Sequence, residues 1–415
     1  MKPIFVISCP IDTFSGYGSR SRSIVKSIID SNKYDVKILS QKWGSTSFGY
    51  LEHHKQWSYL KDYIIDPKSI TKQPDIWCQI TIPSEFRKLG IYSIGITAGI
   101  ETTHVDVSWV QGVNNMDLTL VSSQHSKTAF LESVYKSNTN GEEIKVNKPI
   151  EVLPEEVDVD MFLNSNKEFD LSSIKESFAY LFVGHWLNGK DGHDRKNVYN
   201  LIKLFFNTFK NKSTKPALIL KTSSGPCSIT DRERILSKIE QIRKQIKSSD
   251  LPNVYLIHGD LKEKQMSALY HHPKIKAMVS LTRGEGWGRP LLEFSLTKKP
   301  IITSGWSGHL DFLKPEYTNL ISGKLIQIDP SCVIKNILIK ESKWFEPDYI
   351  KASQMLKDVY KHYKKYIDRS KQQAKYSKDN FAYSNLDIIL NNILDKNLPE
   401  FPKFVELNLP KLQKI

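Results

Sequence analysis

Short apolar runs alternate with helix-length polar segments along most of the chain, and this alternation constrains the fold more than any other feature. The run Ala179–Gly184, AYLFVG, is almost continuously apolar, the mark of a strand buried on both faces. Further candidate strands stand at Ile4–Ser8, Asp35–Leu39, Ile91–Thr97, Leu118–Ser122 and Glu151–Leu153. More follow at Ala217–Lys221, Val254–His258, Ala277–Leu281 and Pro300–Thr303. Between them lie segments with helical periodicity, among them SRSRSIVKSIID, SSQHSKTAFLESVYK, Asn197–Phe209, Arg232–Ile246, Glu263–Tyr270 and Pro290–Leu296. Strand, helix and strand in alternation predict parallel sheets with helices on both faces.

A chain of 415 residues is long enough for two or three such units. The mostly polar stretch Leu163–Lys175 separates the two series of strands. The expected organisation is therefore two doubly wound, Rossmann-like α/β domains, residues 1–165 and 170–384, facing each other across a cleft. Ligands of such sheets bind beyond the carboxyl ends of the strands. Helices are expected at Tyr349–Tyr366, Ser370–Asn380 and Asn385–Leu394, and residues from about 385 to 415 are expected to pack back on the first domain. The ending NLPEFPKFVELNLPKLQKI has three prolines and little periodicity, so it reads as extended chain.

Several classes are excluded by composition. Hydrophobic residues make up 40% and charged residues 25%, which rules out a wholly disordered chain. No apolar stretch is long enough for a membrane-spanning helix, and the short run at Ile4–Ser8 reads as a first strand rather than a signal peptide. The four cysteines, at 9, 78, 227 and 332, form no CxxC pair. That spacing fits a reduced, cytoplasmic compartment and gives no cysteine-based metal site. Lysine plus arginine total 59 against 45 aspartate plus glutamate, a net charge of +14. Such a surplus suits a polyanionic partner or an anionic membrane surface, or else reflects composition alone.

The chemistry concentrates in 282–295, TRGEGWGRPLLEFS, directly after the strand KAMVSL. Glycines 284, 286 and 288 let the backbone approach a ligand closely, and Pro290 suits the first turn of a helix. Glu285 and Glu293, with seven residues between them, are placed to meet one ligand from two ends. Here the sequence resembles the retaining glycosyltransferases of the GT-B class, in particular glycosyltransferase family 4, with its EX7E motif. EGWGRPLLE is similar to that family's EGFGLPxLE, and KKPIITSGWSGHLDFL, WFEPDYIKASQMLKDVY and VSSQHSKTAF match further family elements.

The resemblance implies a GT-B fold, with an acceptor-side first domain and a nucleotide-sugar-binding second domain. It implies that Glu285 contacts donor-sugar hydroxyls and Glu293 the ribose, while the backbone of Gly286, Trp287 and Gly288 holds sugar and phosphate. Trp287 stands where the family has Phe and reads as a packing residue. Arg289 replaces the usual Leu or Asn and is placed to meet phosphate. Lys221, with Arg195 or Lys196 from HDRKN, would neutralise the leaving diphosphate, so that no metal or cofactor is needed. Gly16 would approach the donor phosphates, and Glu101 or His104 would face the reacting carbon. Ser19, Arg20 and Arg22 form either an anionic-acceptor site or a solvated face. Asp158 and Asp160 match an interdomain element rather than a metal motif, and His53, His54, His271 and His272 read as surface residues.

The implied reaction is metal-independent sugar transfer, with retention, from a nucleotide-sugar donor to a glycan, lipid-linked or small carbohydrate acceptor. Two alternatives stand beside it. One is a viral enzyme that glycosylates a hydroxymethylated base in duplex DNA, which the positive charge would suit. The other is a non-catalytic binding protein on the same frame.

Overall fold

The computed structural model describes residues 2–401 apart from 45, 138, 140, 166, 167, 188 and 226. The first domain contains β1 (Ile4–Cys9), α1 (Gly16–Asp30), β2 (Asp35–Ser40), α2 (Tyr50–His53), β3 (Ile76–Ile80), β4 (Tyr92–Thr97) and α3 (Val107–Asn114). It continues through β5 (Leu118–Val121), α4 (Gln124–Glu132), the short hairpin β6 (Tyr135–Lys136) and β7 (Glu143–Ile144), β8 (Ile150–Val152) and the linker helix α5 (Val159–Leu163). Six strands form one all-parallel sheet in the order β2-β1-β3-β4-β5-β8.

The second domain runs β9 (Ala179–Val183), α6 (Val198–Phe209), β10 (Ala217–Lys221), α7 (Ile229–Gln245), β11 (Val254–Ile257), α8 (Glu263–His271), β12 (Ile275–Ser280), α9 (Arg289–Ser295), β13 (Ile301–Ser304) and β14 (Asn319–Ile321). A hairpin of β15 (Gly323–Gln327) and β16 (Lys343–Pro347) follows, then α10 (Tyr349–Lys361), α11 (Lys364–Phe381) and α12 (Tyr383–Asn397). The second parallel sheet has the order β11-β10-β9-β12-β13-β14.

The order in which strands are added reverses once in each parallel sheet, between β1 and β3 in the first and between β9 and β12 in the second. These switch points are where open α/β sheets bind ligands, in the crevice beyond the carboxyl ends. The loops after β9 and β12 carry Arg195, Lys196 and Glu285, so the strand order places these residues at the second switch point.

Ala179, Tyr180, Leu181 and Phe182 in β9 are all fully buried, as the apolar run requires. Tyr180 and Phe182 join the core on one face of the sheet with α6 and α10, and Leu181 joins the core on the other with α9. In α12, Leu386, Leu390 and Leu394 recur every fourth residue and enter the core of the first domain. Ser27 Oγ on α1 donates to Asp387 at 2.6 Å, which fixes α12 along α1. The chain thus crosses back to the first domain after α11. The rest of the expected tail, from 402 onward, lies outside the described residues.

Three expectations need correction. The central strand β3, IWCQI, is absent from the sequence reading although all five residues are buried. The hairpin β15–β16 is absent from it as well. The helix expected over 349–366 breaks after Lys361, and α11 starts at Lys364.

Candidate active site

A cavity of about 240 Å³ lies between the carboxyl ends of the two sheets, lined on one side by Gly16, Tyr17, Arg20, Ile96–Gly99 and Glu101 and on the other by Glu285–Arg289. Ser15 caps α1 by accepting from Gly18 N at 2.9 Å. Gly18 is enforced by packing, because a Cβ there would collide with the Thr13 carbonyl oxygen, whereas Gly16 faces open space on the cavity wall. Tyr17 forms the next part of that wall. Its hydroxyl lies 3.0 Å from Thr97 Oγ1 and accepts from Ala98 N at 3.1 Å, and its ring stacks on Trp43 at 3.8 Å. Burial pushes the Tyr17 phenol up to about 12, so it stays protonated.

Arg20 and Arg22 are not a solvated face. Both are buried. Arg20 donates to the carbonyls of Leu153 and Pro154 and lies 3.5 Å from Glu156, which ties α1 to the interdomain linker. Arg22 donates to Ile11 O and Thr13 O at 2.9 and 3.1 Å and covers the ring of Tyr50. Ser19 lines a neighbouring cavity rather than this one.

On the opposite wall the glycine loop touches the first domain backbone to backbone. A Cβ at 284 would strike the Glu101 carbonyl oxygen, and one at 286 would lie 2.6 Å from Ala98 O. Gly288 has φ +101°, a left-handed conformation natural only to glycine. Trp287 lines the cavity while its ring packs on Phe312 and Phe381 at 4.9 and 5.6 Å. Pro290 sits in the first turn of α9.

The loops after β9 and β12 are zipped together. Arg283 N donates to Arg195 O at 2.8 Å, and Asn197 Nδ2 donates to Leu281 O at 2.8 Å. Asp194 accepts from Val198 N at 2.9 Å and so starts α6. This brings two cations onto Glu285. Lys196 Nζ donates to both carboxylate oxygens, and Arg195 lies 3.5 Å from Oε2 while donating to Gly284 O at 2.8 Å. Arg195 also reaches Glu101 of the first domain at 3.2 Å. Burial would raise the Glu285 pKa, but Lys196 and Arg195 outweigh it and hold it at about 2. Glu285 is thus fully ionised at neutral pH and only accepts hydrogen bonds.

Glu293 is not on the cavity wall. It accepts from Arg289 Nε at 3.0 Å and from Tyr270 Oη at 3.2 Å. Arg289 is the connection, since it lines the cavity and its buried Nη1 makes no hydrogen bond in the protein. Lys221, at the end of β10, is off the wall as well. It lies near Lys196 around His185, and after burial these two cations are among the causes that lower the His185 pKa.

His104 does not face the cavity. Its Nδ1 lies 2.9 Å from Thr103 Oγ1 and its backbone meets Ser342. His309, which sequence reasoning passed over, is closer to the site. It is fully buried, its Nε2 lies 2.7 Å from Ser304 O, and its Nδ1 makes no hydrogen bond. Its only signal in the sequence was membership of the matched stretch GWSGHLDFL.

Asp158 caps α5 through Met161 N at 2.9 Å. Among the described residues no group of three or more His, Cys, Asp or Glu side chains is placed to hold a metal ion. His54 stacks on Tyr50 at 3.8 Å and His271 Nε2 lies 3.0 Å from Phe162 O, so these two are packed rather than surface side chains. Among the described residues, no helix is long and apolar enough to cross a membrane.

No protein-family model matches the chain, and no curated protein sequence matches it. Solved structures do resemble it over nearly its whole length. Sucrose-phosphate synthase from Thermosynechococcus elongatus superposes with a TM-score of 0.60 at 12% identity, covering 95% of this chain and 99% of that one. A trehalose-6-phosphate structure from E. coli bound with UDP-2-fluoro glucose gives 0.60 at 10% identity, covering 96% and 100%. HepE from Anabaena, in complex with UDP and glucose, gives 0.56 at 10% identity, covering 95% and 100%. At these identities the likeness establishes the fold, which is GT-B.

Proposed function

We propose that the chain is a retaining, metal-independent glycosyltransferase of the family 4 type. In this reading it moves a sugar from a nucleotide-sugar donor to a hydroxyl of a glycan, lipid-linked or small carbohydrate acceptor. The observation that carries the reading is the ionised Glu285 carboxylate on the wall of the interdomain cavity, held there by Lys196 and Arg195. A cavity of about 240 Å³ is below the roughly 300–1,000 Å³ of ordinary small-molecule sites. It suits the sugar and its reacting carbon, with the nucleotide running on past Arg289 towards Glu293.

Each residue then has a role. Glu285 accepts hydrogen bonds from donor-sugar hydroxyls, and Glu293 does so from the ribose. Amides of Gly286 to Gly288 hold sugar and phosphate, with Trp287 packed behind them. Lys196, Arg195 and Lys221 neutralise the diphosphate as it leaves, so charge is met by pre-placed groups without reorganisation. Gly16 leaves room for the donor phosphates beside the first domain. Glu101 holds Arg195 from across the cleft.

The leaving phosphate takes the acceptor proton on the same face of the sugar, so the protein contributes position and charge rather than a nucleophile. Retaining glycoside hydrolases use two carboxyl groups about 5 Å apart, one of which must carry a proton. Glu285 has none to give, and the cation Arg195 stands between it and Glu101.

Donor hydrolysis against a panel of nucleotide sugars tests the reading, beginning with UDP-sugars because two of the similar structures carry UDP or a UDP-sugar. Slow release of one nucleotide diphosphate, unchanged by EDTA and lost in Glu285→Gln, is the expected result. Release that stops with EDTA overturns metal independence, and no release from any donor overturns the assignment. Acceleration by hydroxymethylcytosine DNA, run in parallel, would replace the carbohydrate acceptor with nucleic acid.

A further inference from the structure

Residues 322–348 of the second domain form an excursion that none of the roles above uses. Its strands β15 and β16 pair antiparallel from Gly323↔Pro347 to Gln327↔Lys343. Between them an arm reaches across the cleft to the first domain. Leu338 is 6% exposed and belongs to the first domain's core with Val105, Trp109 and Val110. Ser342 is fully buried. Its hydroxyl accepts from His104 N at 3.0 Å and donates to His104 O at 3.3 Å. Thr103 N donates to Lys343 O at 2.9 Å, and Lys343 N donates to Thr103 Oγ1 at 2.9 Å.

The arm is also fastened to the site loops of its own domain. Phe345 N donates to Arg283 O at 2.8 Å, and the buried Trp344 ring lies 5.4 Å from the Arg283 guanidinium. Cys332 Sγ donates to His193 O at 2.9 Å. One element therefore grips the loops bearing Arg195 and Glu285 on one side and the 98–104 loop bearing Glu101 on the other.

We propose that this arm is a positioning element that, through Leu338 and Ser342, fixes the 98–104 loop and so sets the Glu101–Arg195 contact beside Glu285. Domains joined by modest interfaces move relative to each other by default, and a partly exposed ion pair such as Glu101–Arg195 is too weak to hold them. Buried apolar contact and satisfied buried hydrogen bonds are what hold a loop in one place. On this cleft edge Leu338 and Ser342 supply both. The effect on turnover rests on the proposed glycosyltransferase reading, whereas the effect on the loop does not.

Hydrogen–deuterium exchange on the full chain, with donor hydrolysis alongside, tests the arm. In Ser342→Ala and Leu338→Ala, peptides covering 98–104 should exchange about tenfold faster, while peptides over β9, whose exchange needs wider unfolding, stay unchanged. Turnover should fall about tenfold or more, as expected for misplaced groups, with UDP affinity by calorimetry held within about twofold. Ser342→Thr keeps the hydroxyl and should restore both exchange and turnover. Unchanged exchange at 98–104 in both variants overturns the clamp. Faster exchange with unchanged turnover overturns its positioning role. If the unaltered chain hydrolyses no donor, the enzymatic reading fails by itself, and exchange alone decides whether the arm fixes the loop. Should Leu338→Ala fail to fold, Ser342→Ala carries the test.

Discussion

Lys196 Nζ lies 2.6 Å from Oε1 and 2.7 Å from Oε2 of Glu285, so a single ammonium bridges both oxygens of the carboxylate. The two side chains come from loops after different strands, 89 positions apart in sequence. Both are largely withdrawn from water, with side chains 14% and 8% exposed. At such burial a lone charge is costly, and each partner makes the other tolerable.

That coupling makes acid sensitivity a direct readout. The folded-state pKa of Glu285, about 2, lies below its ordinary 4.5, so as pH falls the unfolded chain takes up the proton first. The pair's contribution to stability is complete above about pH 4.5 and is lost as pH falls towards 2. Glu285→Gln should cost about 3 kcal/mol at neutral pH by leaving Lys196 unmatched. The deficit should shrink below about pH 4.5, where the parent loses its own pair. Urea midpoints at neutral and acid pH check this, and a deficit constant with pH would contradict it.

Binding and turnover should separate by residue. Glu293→Ala and Lys221→Ala should weaken nucleoside-diphosphate binding by about tenfold each, the loss of one charge-assisted hydrogen bond. Glu285→Ala should reduce turnover far more than diphosphate affinity. Calorimetry with UDP and GDP, beside rates of donor hydrolysis, measures both. An unchanged affinity in Lys221→Ala would remove that residue from the phosphate site, which the geometry makes a stringent test because Lys221 is off the cavity wall.

The parts of this site that were legible in the sequence are those with a local signature. AYLFVG announced its strand because both faces are buried, and TRGEGWGRP announced a close backbone approach because glycine and proline have few other reasons to cluster. The central strand β3 was not legible. Residues 41–75 supply no amphipathic helix to mark a crossover, and a 3-10 turn over Lys55–Tyr63 does that work instead. The position of His104, off this cavity wall, was not legible for a related reason. Its surroundings are set by Ser342, 238 residues away, and no local pattern encodes that contact. The sequence leaves Arg20 and Arg22 open between an anionic-acceptor site and a solvated face, because the carbonyls of the linker and the β1 loop that they bond are brought to them only by the fold.

Gly284 tests the direct contact between the domains. Its φ is not in the left-handed region, so its need for glycine is steric: a Cβ would strike the carbonyl oxygen of Glu101. Gly284→Ala should push the first-domain loop away, at about 1–3 kcal/mol for the overpacking. Turnover should fall with it, because Glu101 then no longer reaches Arg195. Thermal unfolding and donor hydrolysis report the two effects, and a fully active, equally stable Gly284→Ala would show that the domains part freely at this point.

Arg289 gives the last test. Its Nε is committed to Glu293 while Nη1 is buried beside the cavity without a partner. An unpaired buried donor costs about 1–3 kcal/mol, and a phosphate oxygen entering the cavity would relieve that cost. Burial acts against the charge on Arg289, but Glu293, Glu156 and Glu155 outweigh it and raise its pKa, so it stays cationic at any working pH. Arg289→Leu restores the residue usual in the family the chain resembles, and it removes the unpaired donor. It also leaves the buried Glu293 carboxylate without its cation, so the free protein should lose about 3 kcal/mol, while UDP affinity should fall about tenfold and become less sensitive to salt. Arg289→Lys should recover only part of the affinity, since a point charge cannot keep Glu293 and meet phosphate through one planar fork. Equal UDP affinity in Arg289→Leu and the parent would place the phosphates elsewhere on the cleft wall.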